Sequence, residues 1–403
     1  MAKVTLINPS SREFLSCAGD RMPLGILYLA DALQQRNHNV QVIDFDHTEE
    51  RYSYEPIYKF KPDFIGVSIL TSVLWPQAKK IAEFYPKVKK IAGGYHATAM
   101  HNDVEDYFDY VVMGEGEKTL VDIVEGKIRP DSIDGIKPEA KELSIPARNL
   151  LDPNLYTLKQ DNLKTATLMS SRGCPNACVY CGNHNRVMRY VPVDLVAKDI
   201  DNIKAQGYES LYFLDDTFAV SKPRVKEMTE MLKDKKMPYR IVTRANTIDD
   251  EVAKMLADSG CIWANLGIES GSDKCLKAVG KNLTCAQNEK AVEILHEYGI
   301  KVNGYYIFGL PLEEFSDGMK TIAFAKRLKK KGLTTASFYI MTPFPGTDIW
   351  DNPSKYGIEI IDKDYTKYLE AGKEKPVAFH RTKYLERSEI EFLRNFAQEK
   401  FND

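Results

Sequence analysis

The stretch Thr165-Ala-Thr-Leu-Met-Ser170-Ser-Arg-Gly-Cys174-Pro-Asn-Ala-Cys178-Val-Tyr-Cys181 runs from an apolar, strand-like segment straight into a cysteine cluster of the form C-x3-C-x2-C. The chain has seven cysteines, at positions 17, 174, 178, 181, 261, 275 and 285, and three of them fall within eight residues. An odd number in a long chain argues against a disulfide framework, and the clustering points to a metal site. Thiolates are the ligands that iron–sulfur clusters take. Three of them leave one iron of a [4Fe–4S] cubane open. Such an iron can chelate the amino and carboxylate groups of S-adenosylmethionine and pass an electron to its sulfonium, giving a 5′-deoxyadenosyl radical. The competing reading is a closed zinc site with four protein ligands, in which His184 would be the fourth.

Around and beyond the cluster, strand signals recur at Thr165–Ser170, Ser210–Leu214, Tyr239–Thr243, Trp263–Gly267, Lys301–Phe308 and Thr335–Met341. Helical periodicity lies between them, at about Val193–Ala205, Lys222–Lys233, Asp249–Asp258, Ala286–Tyr298 and Ser316–Lys330. Six such units in succession predict a partial (β/α)6 barrel with its active site at the carboxyl ends of the strands. Residues 1–125 show a separate alternation: strands at Lys3–Asn8, Val40–Phe45, Phe64–Leu70, Lys90–Ala92 and Tyr110–Met113, helices at Pro23–Gln35 and Trp75–Tyr85. That pattern predicts a doubly wound parallel sheet with a ligand crevice at its strand ends, where Ser68 to Ser72, Gly93-Gly94 and Gly114 to Gly116 fall. Residues 126–164, interrupted by four prolines, read as a connector, 165–347 as the barrel, and 348–403 as a polar, mostly helical region ending in an amphipathic helix, Glu389–Phe401. The fold class is α/β.

Over the barrel region, Thr165 to Trp350, the sequence resembles the radical S-adenosylmethionine superfamily. The resemblance implies that Cys174, Cys178 and Cys181 ligate the cluster and that Tyr180 packs near the adenine. It further implies that Asp215 or Asp216, ending the second strand, binds the methionine amine. The segment Gly267-Ile-Glu269-Ser270-Gly271 corresponds to the ribose-contacting one, Gly304 to Gly309, with Ile307, to the adenine segment, and Thr342 to Thr347 to the turn after the sixth strand. Each has a plainer counterpart. Asp215 and Asp216 suit a helix N-cap. Glu269 is costly to bury unpaired. Arg244 can clamp a carboxylate or simply pair with an Asp, and Gly309 and Gly346 serve as turn glycines. Cys261 reads as a core residue, while Cys275 and Cys285 lie on or near helices.

Pro23-Leu24-Gly25, Gly93-Gly94-Tyr-His96 and Gly114-Glu115-Gly116-Glu117 resemble the cobalamin-binding domain that precedes the barrel in one branch of that superfamily. The resemblance implies that small residues let the backbone approach a flat macrocycle, that Ser68, Thr71 and Ser72 bond its amide arms, and that His96 shapes the pocket or ligates cobalt. The D-x-H-x-x-G motif of cobalamin mutases is missing; Asp46-His47 does not match it. Cys17 is placed toward the same crevice. The turn Pro9 to Gly25 lacks a G-x-G-x-x-G dinucleotide fingerprint. The tRNA methylthiotransferases resemble the chain less, since they need further cysteines in the first domain and end in a β-barrel.

The expected activity is therefore that of a cobalamin-dependent radical S-adenosylmethionine enzyme, a methyltransferase acting on a carbon or phosphorus centre of a small molecule, lipid or peptide. Its cofactors would be a [4Fe–4S] cluster, S-adenosylmethionine and cobalamin, with a flavodoxin or ferredoxin type of electron donor. Alternatives are a radical epimerase, dehydratase, rearrangement or cyclisation enzyme, and a zinc-stabilised binding protein. A formal charge of −2 gives no reason to expect a nucleic-acid partner. No apolar run is long enough to span a bilayer, and the start of the chain lacks a secretory leader pattern, so the expected location is the cytoplasm. Tyr365, Tyr368 and Phe379 read as packing aromatics or as a substrate lining.

Overall fold

A computed structural model of the chain describes residues 1–12, 18–48, 55–183, 185–372 and 376–402; Cys17 and His184 lie outside the described residues. Two compact units are present: residues 1–167 with 198–208 and 365–367, and residues 168–197 with 209–364 and 368–403.

The first unit is built on six strands: β1 (Lys3–Asn8), β2 (Asn39–Asp44), β3 (Phe64–Ser68), β4 (Lys89–Gly93), β5 (Tyr110–Met113) and β6 (Ser132–Asp134). They pair in parallel in the order β2-β1-β3-β4-β5-β6. The central residues of β1 are buried without alternation, as a strand covered on both faces requires. Leu24, Leu27, Ala30 and Leu33 are buried on helix Leu24–Gln34, and the last three pack with Val4, Leu6, Val42 and Ile91. Strand order reverses between β1 and β3, which sets a switch-point crevice at their carboxyl ends. The sixth strand comes from residues that read as connector. Ser132-Ile-Asp is too short to show a period of two, and its pairing with β5 is a tertiary contact.

The second sheet has the order β15-β14-β13-β12-β11-β8-β7. Its strands are β7 (Lys159–Gln160), β8 (Leu163–Leu168), β11 (Ser210–Phe213), β12 (Tyr239–Thr243), β13 (Cys261–Glu269), β14 (Lys301–Phe308) and β15 (Leu333–Ile340). Strands β11 to β15 are paired in parallel and curl into a half-barrel, while β7 adds an antiparallel edge. A short antiparallel pair, β9 (Ser171–Arg172) and β10 (Arg189–Tyr190), brackets the cysteine loop. The C-terminal region is helical at Arg387–Asn402 but also forms a hairpin-like pair, β16 (Ile358–Ile360) with β17 (His380–Thr382). Tyr368 is buried against Phe344, Trp350 and Phe379, so these aromatics pack a core. Among the described residues no helix is long and apolar enough to cross a membrane.

Candidate functional site: a three-cysteine barrel mouth and a glycine-lined sheet edge

The loop between β9 and β10 is fixed by its own backbone. The Cys174 N–H donates to the Asn185 carbonyl at 2.9 Å, and the Cys181 N–H to the Cys178 carbonyl at 3.0 Å. The Val179 N–H donates to the Val279 carbonyl at 3.1 Å, tying the loop to the segment after β13. All three thiols are free, Cys178 is buried, and the other two are half-buried. Two donors and a hydroxyl approach two of the sulfurs. Arg244 Nη1 lies 3.5 Å from Cys178 Sγ, Asn176 Nδ2 3.4 Å from Cys174 Sγ, and Thr217 Oγ1 3.7 Å from the same atom. Burial pushes the Cys181 thiol up, and Cys178, Asp216 and Cys174 add to the effect. A buried Cys181 thiol is hard to ionise unless a cation joins it. A cationic guanidinium and an amide aimed at sulfur therefore fit a thiolate-ligated cluster on this loop.

Arg244, at the end of β12, also donates through Nη2 to the Lys281 carbonyl. Lys281 Nζ in turn meets Glu269 Oε1 at 2.7 Å, and both side chains are buried. The Tyr180 hydroxyl bonds Glu269 as well; burial, and next the Glu269 charge, hold it well above the ordinary phenol range. Cys178, Arg244, Lys281, Glu269 and Tyr180 thus form one connected polar cluster at the carboxyl ends of β12 and β13. Glu269 has φ of +65°, a left-handed conformation that an ordinary side chain adopts at a cost of about 1–2 kcal/mol. Gly267 underlies the pair: a Cβ there would stand 2.5 Å from Glu269 Oε1 and 2.6 Å from Lys281 Nζ. Sequence reasoning missed Lys281, because a lysine in a loop twelve positions after Glu269 carries no local pattern.

The remaining barrel candidates separate. Asp215 is buried and turned toward the end of β8, accepting from the Ser170 N–H at 2.8 Å, Ser170 Oγ at 2.7 Å and Ser171 Oγ. Asp216 is exposed and accepts from Asn183 Nδ2, just after the third cysteine, at 2.7 Å. Neither carboxylate caps the following helix. Ser270 is fully buried: its hydroxyl lies 3.1 Å from Thr321 Oγ1 and its N–H donates to the Ile268 carbonyl at 2.9 Å, so it shapes the turn after β13. Ile307 is half-buried and, like Tyr180, packs against the apolar cluster that contains Leu310 and Met341. Gly309 has φ of +81°, and Thr342 Oγ1 bonds the Ile340 carbonyl at 3.3 Å.

On the first sheet, Ser68 ends β3 with Thr71 and Ser72 just after it, Gly93 ends β4 with Gly94 after it, and Gly114-Glu115 follow β5. Gly94 has φ of +97°, and a Cβ there would meet the Ile69 carbonyl oxygen at 2.8 Å. Thr98 Oγ1 accepts the Gly114 N–H at 2.8 Å, joining two of the turns. Gly25 is different. It sits exposed in the first turn of helix Leu24–Gln34, beside Pro23 and Leu24, and a Cβ on it would meet nothing within 4 Å. A helical glycine that the protein does not need for packing suits close approach of a ligand. Leu70, between these small residues, is 68 % exposed. The sequence reading passed over it, since one exposed leucine is ordinary unless its surroundings are known. His96 is fully buried, with Nδ1 3.0 Å from Ser72 Oγ and Nε2 without a hydrogen-bond partner, between the rings of Trp75 and Tyr365. Burial pushes it down to about 4, which keeps the imidazole neutral. His47 is engaged elsewhere, with Nε2 2.8 Å from the Gly19 carbonyl. The small residues, the open Gly25 and the apolar Leu70 fit a large flat ligand at this edge.

Residues 168–325 match the model of the radical SAM superfamily, and residues 14–124 match that of the B12 binding domain. An uncharacterized methyltransferase of Pyrococcus horikoshii is 30% identical over 362 residues, covering 82% of this chain and 78% of that protein. The chain belongs to the cobalamin-binding radical SAM family. The bacteriochlorophyllide d C-8(2)-methyltransferase of Chlorobaculum tepidum is a further relative, 26% identical over 86% of this chain and 78% of its own length. The radical S-adenosylmethionine methyltransferase TsrM of Kitasatospora setae shares the fold, with a TM-score of 0.74 at 17% identity over 90% of this chain and 78% of that one. As a cobalamin-binding radical SAM enzyme of the methyltransferase type, the chain uses a [4Fe–4S] cluster, S-adenosylmethionine and cobalamin.

Proposed function

We propose that this enzyme methylates an unactivated carbon or phosphorus centre of a small molecule, lipid or peptide, with Cys174, Cys178 and Cys181 holding the cluster. The observation that carries the reading is the single polar cluster joining Cys178, Arg244, Lys281, Glu269 and Tyr180 at the barrel mouth. Relatives named as methyltransferases support methyl transfer as the outcome. When bound, the cluster supplies an electron, S-adenosylmethionine a hydrogen-abstracting radical and methyl groups, and cobalamin a methyl carrier.

The chain's own residues bind, orient and exclude water. Arg244 places positive charge on the Cys178 sulfur. Asp216, exposed beside the cysteine loop, is the acceptor for the methionine amine, and Asp215 braces the strand end that carries the loop. Glu269, pre-oriented by Lys281, receives ribose hydroxyls, and Ser270 shapes the turn that presents it. Tyr180, Ile307, Gly309 and Thr342 line the adenine position. On the sheet, Pro23, Leu24 and Gly25, Ser68, Thr71 and Ser72, Gly93, Gly94 and His96, and Gly114 with Glu115 cradle cobalamin, and His96 shapes the pocket as a neutral ring. A flavodoxin- or ferredoxin-type protein supplies electrons, in the cytoplasm.

An anaerobic optical spectrum of protein purified with cobalamin supplied tests the assignment. The wild type is expected to show cluster and corrinoid absorption together. A variant with all three cysteines changed to alanine is expected to lose the first and keep the second. Retention of iron and sulfide by that variant would refute the ligand assignment.

A further inference from the structure

The turn after β14 is held from two sides by groups that the site described above does not use. On one side, Glu313 Oε2 accepts the Gly309 N–H at 2.5 Å and the Leu310 N–H at 3.1 Å. On the other, His380 of β17 places Nε2 2.8 Å from the Gly309 carbonyl oxygen. The imidazole is fully buried, and its Nδ1 has no hydrogen-bond partner. Burial pushes His380 down to about 4, so the ring is neutral; with a carbonyl as its partner, Nε2 carries the hydrogen and donates. Contact is close enough that a Cβ on Gly309 would lie 2.8 Å from His380 Nε2 and 3.1 Å from Ile390 Cγ2. The left-handed φ of Gly309 and the absence of a side chain both serve that approach. The paired strand β16 inserts Ile358 into the small apolar cluster of Leu310, Met341 and Ile349, against which Ile307 and Tyr180 pack. The C-terminal strand pair therefore grips the adenine-lining segment through one hydrogen bond and one shared core.

We propose that His380 is a positioning residue for S-adenosylmethionine: the C-terminal strand pair fixes the Phe308–Leu310 backbone, so that cofactor affinity depends on a region outside the barrel. This rests on the reading that the Gly309 segment borders the adenine. An orphaned Gly309 carbonyl, buried and left without a donor, would let the turn rotate toward other partners and lose that backbone shape.

The test is equilibrium binding of S-adenosylmethionine, and separately of S-adenosylhomocysteine, to anaerobically reconstituted full-length protein. Iron content and the cluster's EPR signal on adding S-adenosylmethionine are followed in parallel. His380→Leu removes the donor, His380→Asn keeps a polar group too short to reach, and His380→Gln restores an N–H near the Nε2 position. The expected result is a Kd raised about tenfold, equivalent to about 1.4 kcal/mol, in the Leu and Asn variants, with near wild-type binding in the Gln variant and iron content unchanged. Wild-type affinity in all three would overturn the proposal while leaving the cofactor assignment intact. Parallel loss of iron in all three, Gln included, would overturn it in favour of general support of the barrel. No binding by the wild type would instead overturn the functional reading on which the proposal depends.

Discussion

Glu269 and Lys281 form a buried ion pair, 2.7 Å between Oε1 and Nζ, seated directly on the α-carbon of Gly267. Gly267→Ala places a methyl group where both charged heads lie. The expected outcome is a loss of S-adenosylmethionine affinity of about tenfold or more by equilibrium binding, with cobalamin binding unchanged. Lys281→Met leaves the Glu269 carboxylate buried without its cation and should destabilise the protein by about 3–5 kcal/mol in chemical denaturation. Adding Glu269→Gln to it should recover most of that stability but none of the cofactor affinity. Recovery of both would show that the pair serves folding alone.

Arg244 Nη1 and Cys178 Sγ lie 3.5 Å apart, and hydrogen bonds and charge at the sulfurs tune a cluster's potential. Arg244→Gln should lower the cluster's reduction potential, read by an anaerobic EPR titration. An unchanged potential at full iron content would show that the guanidinium does not act on the cluster.

Gly25 is helical and faces open space. Gly25→Ala is expected to raise stability by up to about 1 kcal/mol, since alanine is the better helix former and meets no obstruction. Gly25→Phe should fold as well as the wild type and fail to retain cobalamin on gel filtration. Wild-type corrinoid retention by the Phe variant would remove this residue from the cofactor edge.

Much of this was legible in residues 165–181 and the pattern around them. A cysteine spacing is local, and so is the strand period before it, so the loop and the sheet strands were readable to within two residues at most boundaries. The N-terminal strands are buried on both faces, which concentrates apolar residues into short runs that stand out. The polar partners were not legible. Asp215 and Asp216 are adjacent in sequence, yet one turns inward to Ser170 and Ser171 and the other outward to Asn183. Lys281 and His380 reach their sites across 12 and 71 residues of chain, and no periodicity reports such a contact. The strands β6, β16 and β17 are three residues each, below the length at which alternation can be seen.

Glu313 gives a pH dependence. Burial first of all raises its carboxyl from the ordinary 4.5 to about 8, against the pull of the Gly309 and Leu310 N–H groups. The folded chain thus holds this proton more tightly than the unfolded chain. The stability it contributes is complete below pH 4.5 and lost as pH rises through about 8. His96 and His380, both held at about 4 in the folded chain, are shared by the wild type and the Glu313 variant and drop out of the comparison. Between pH 6.5 and 8 the wild type should lose up to about 1.4 kcal/mol per pH unit that Glu313→Gln does not, measured by denaturant titration. Parallel curves for the two proteins would refute the buried protonated state.

The most direct test of a cobalamin-dependent methyltransferase follows the methyl group itself. Protein reconstituted with iron, sulfide and cobalamin is incubated anaerobically with a reductant and S-adenosylmethionine deuterated at the methyl, and the corrinoid is analysed by mass spectrometry. Stoichiometric corrinoid carrying the labelled methyl is expected, together with 5′-deoxyadenosine. Formation of 5′-deoxyadenosine by protein that binds no corrinoid, or whose corrinoid never takes the label, would contradict it.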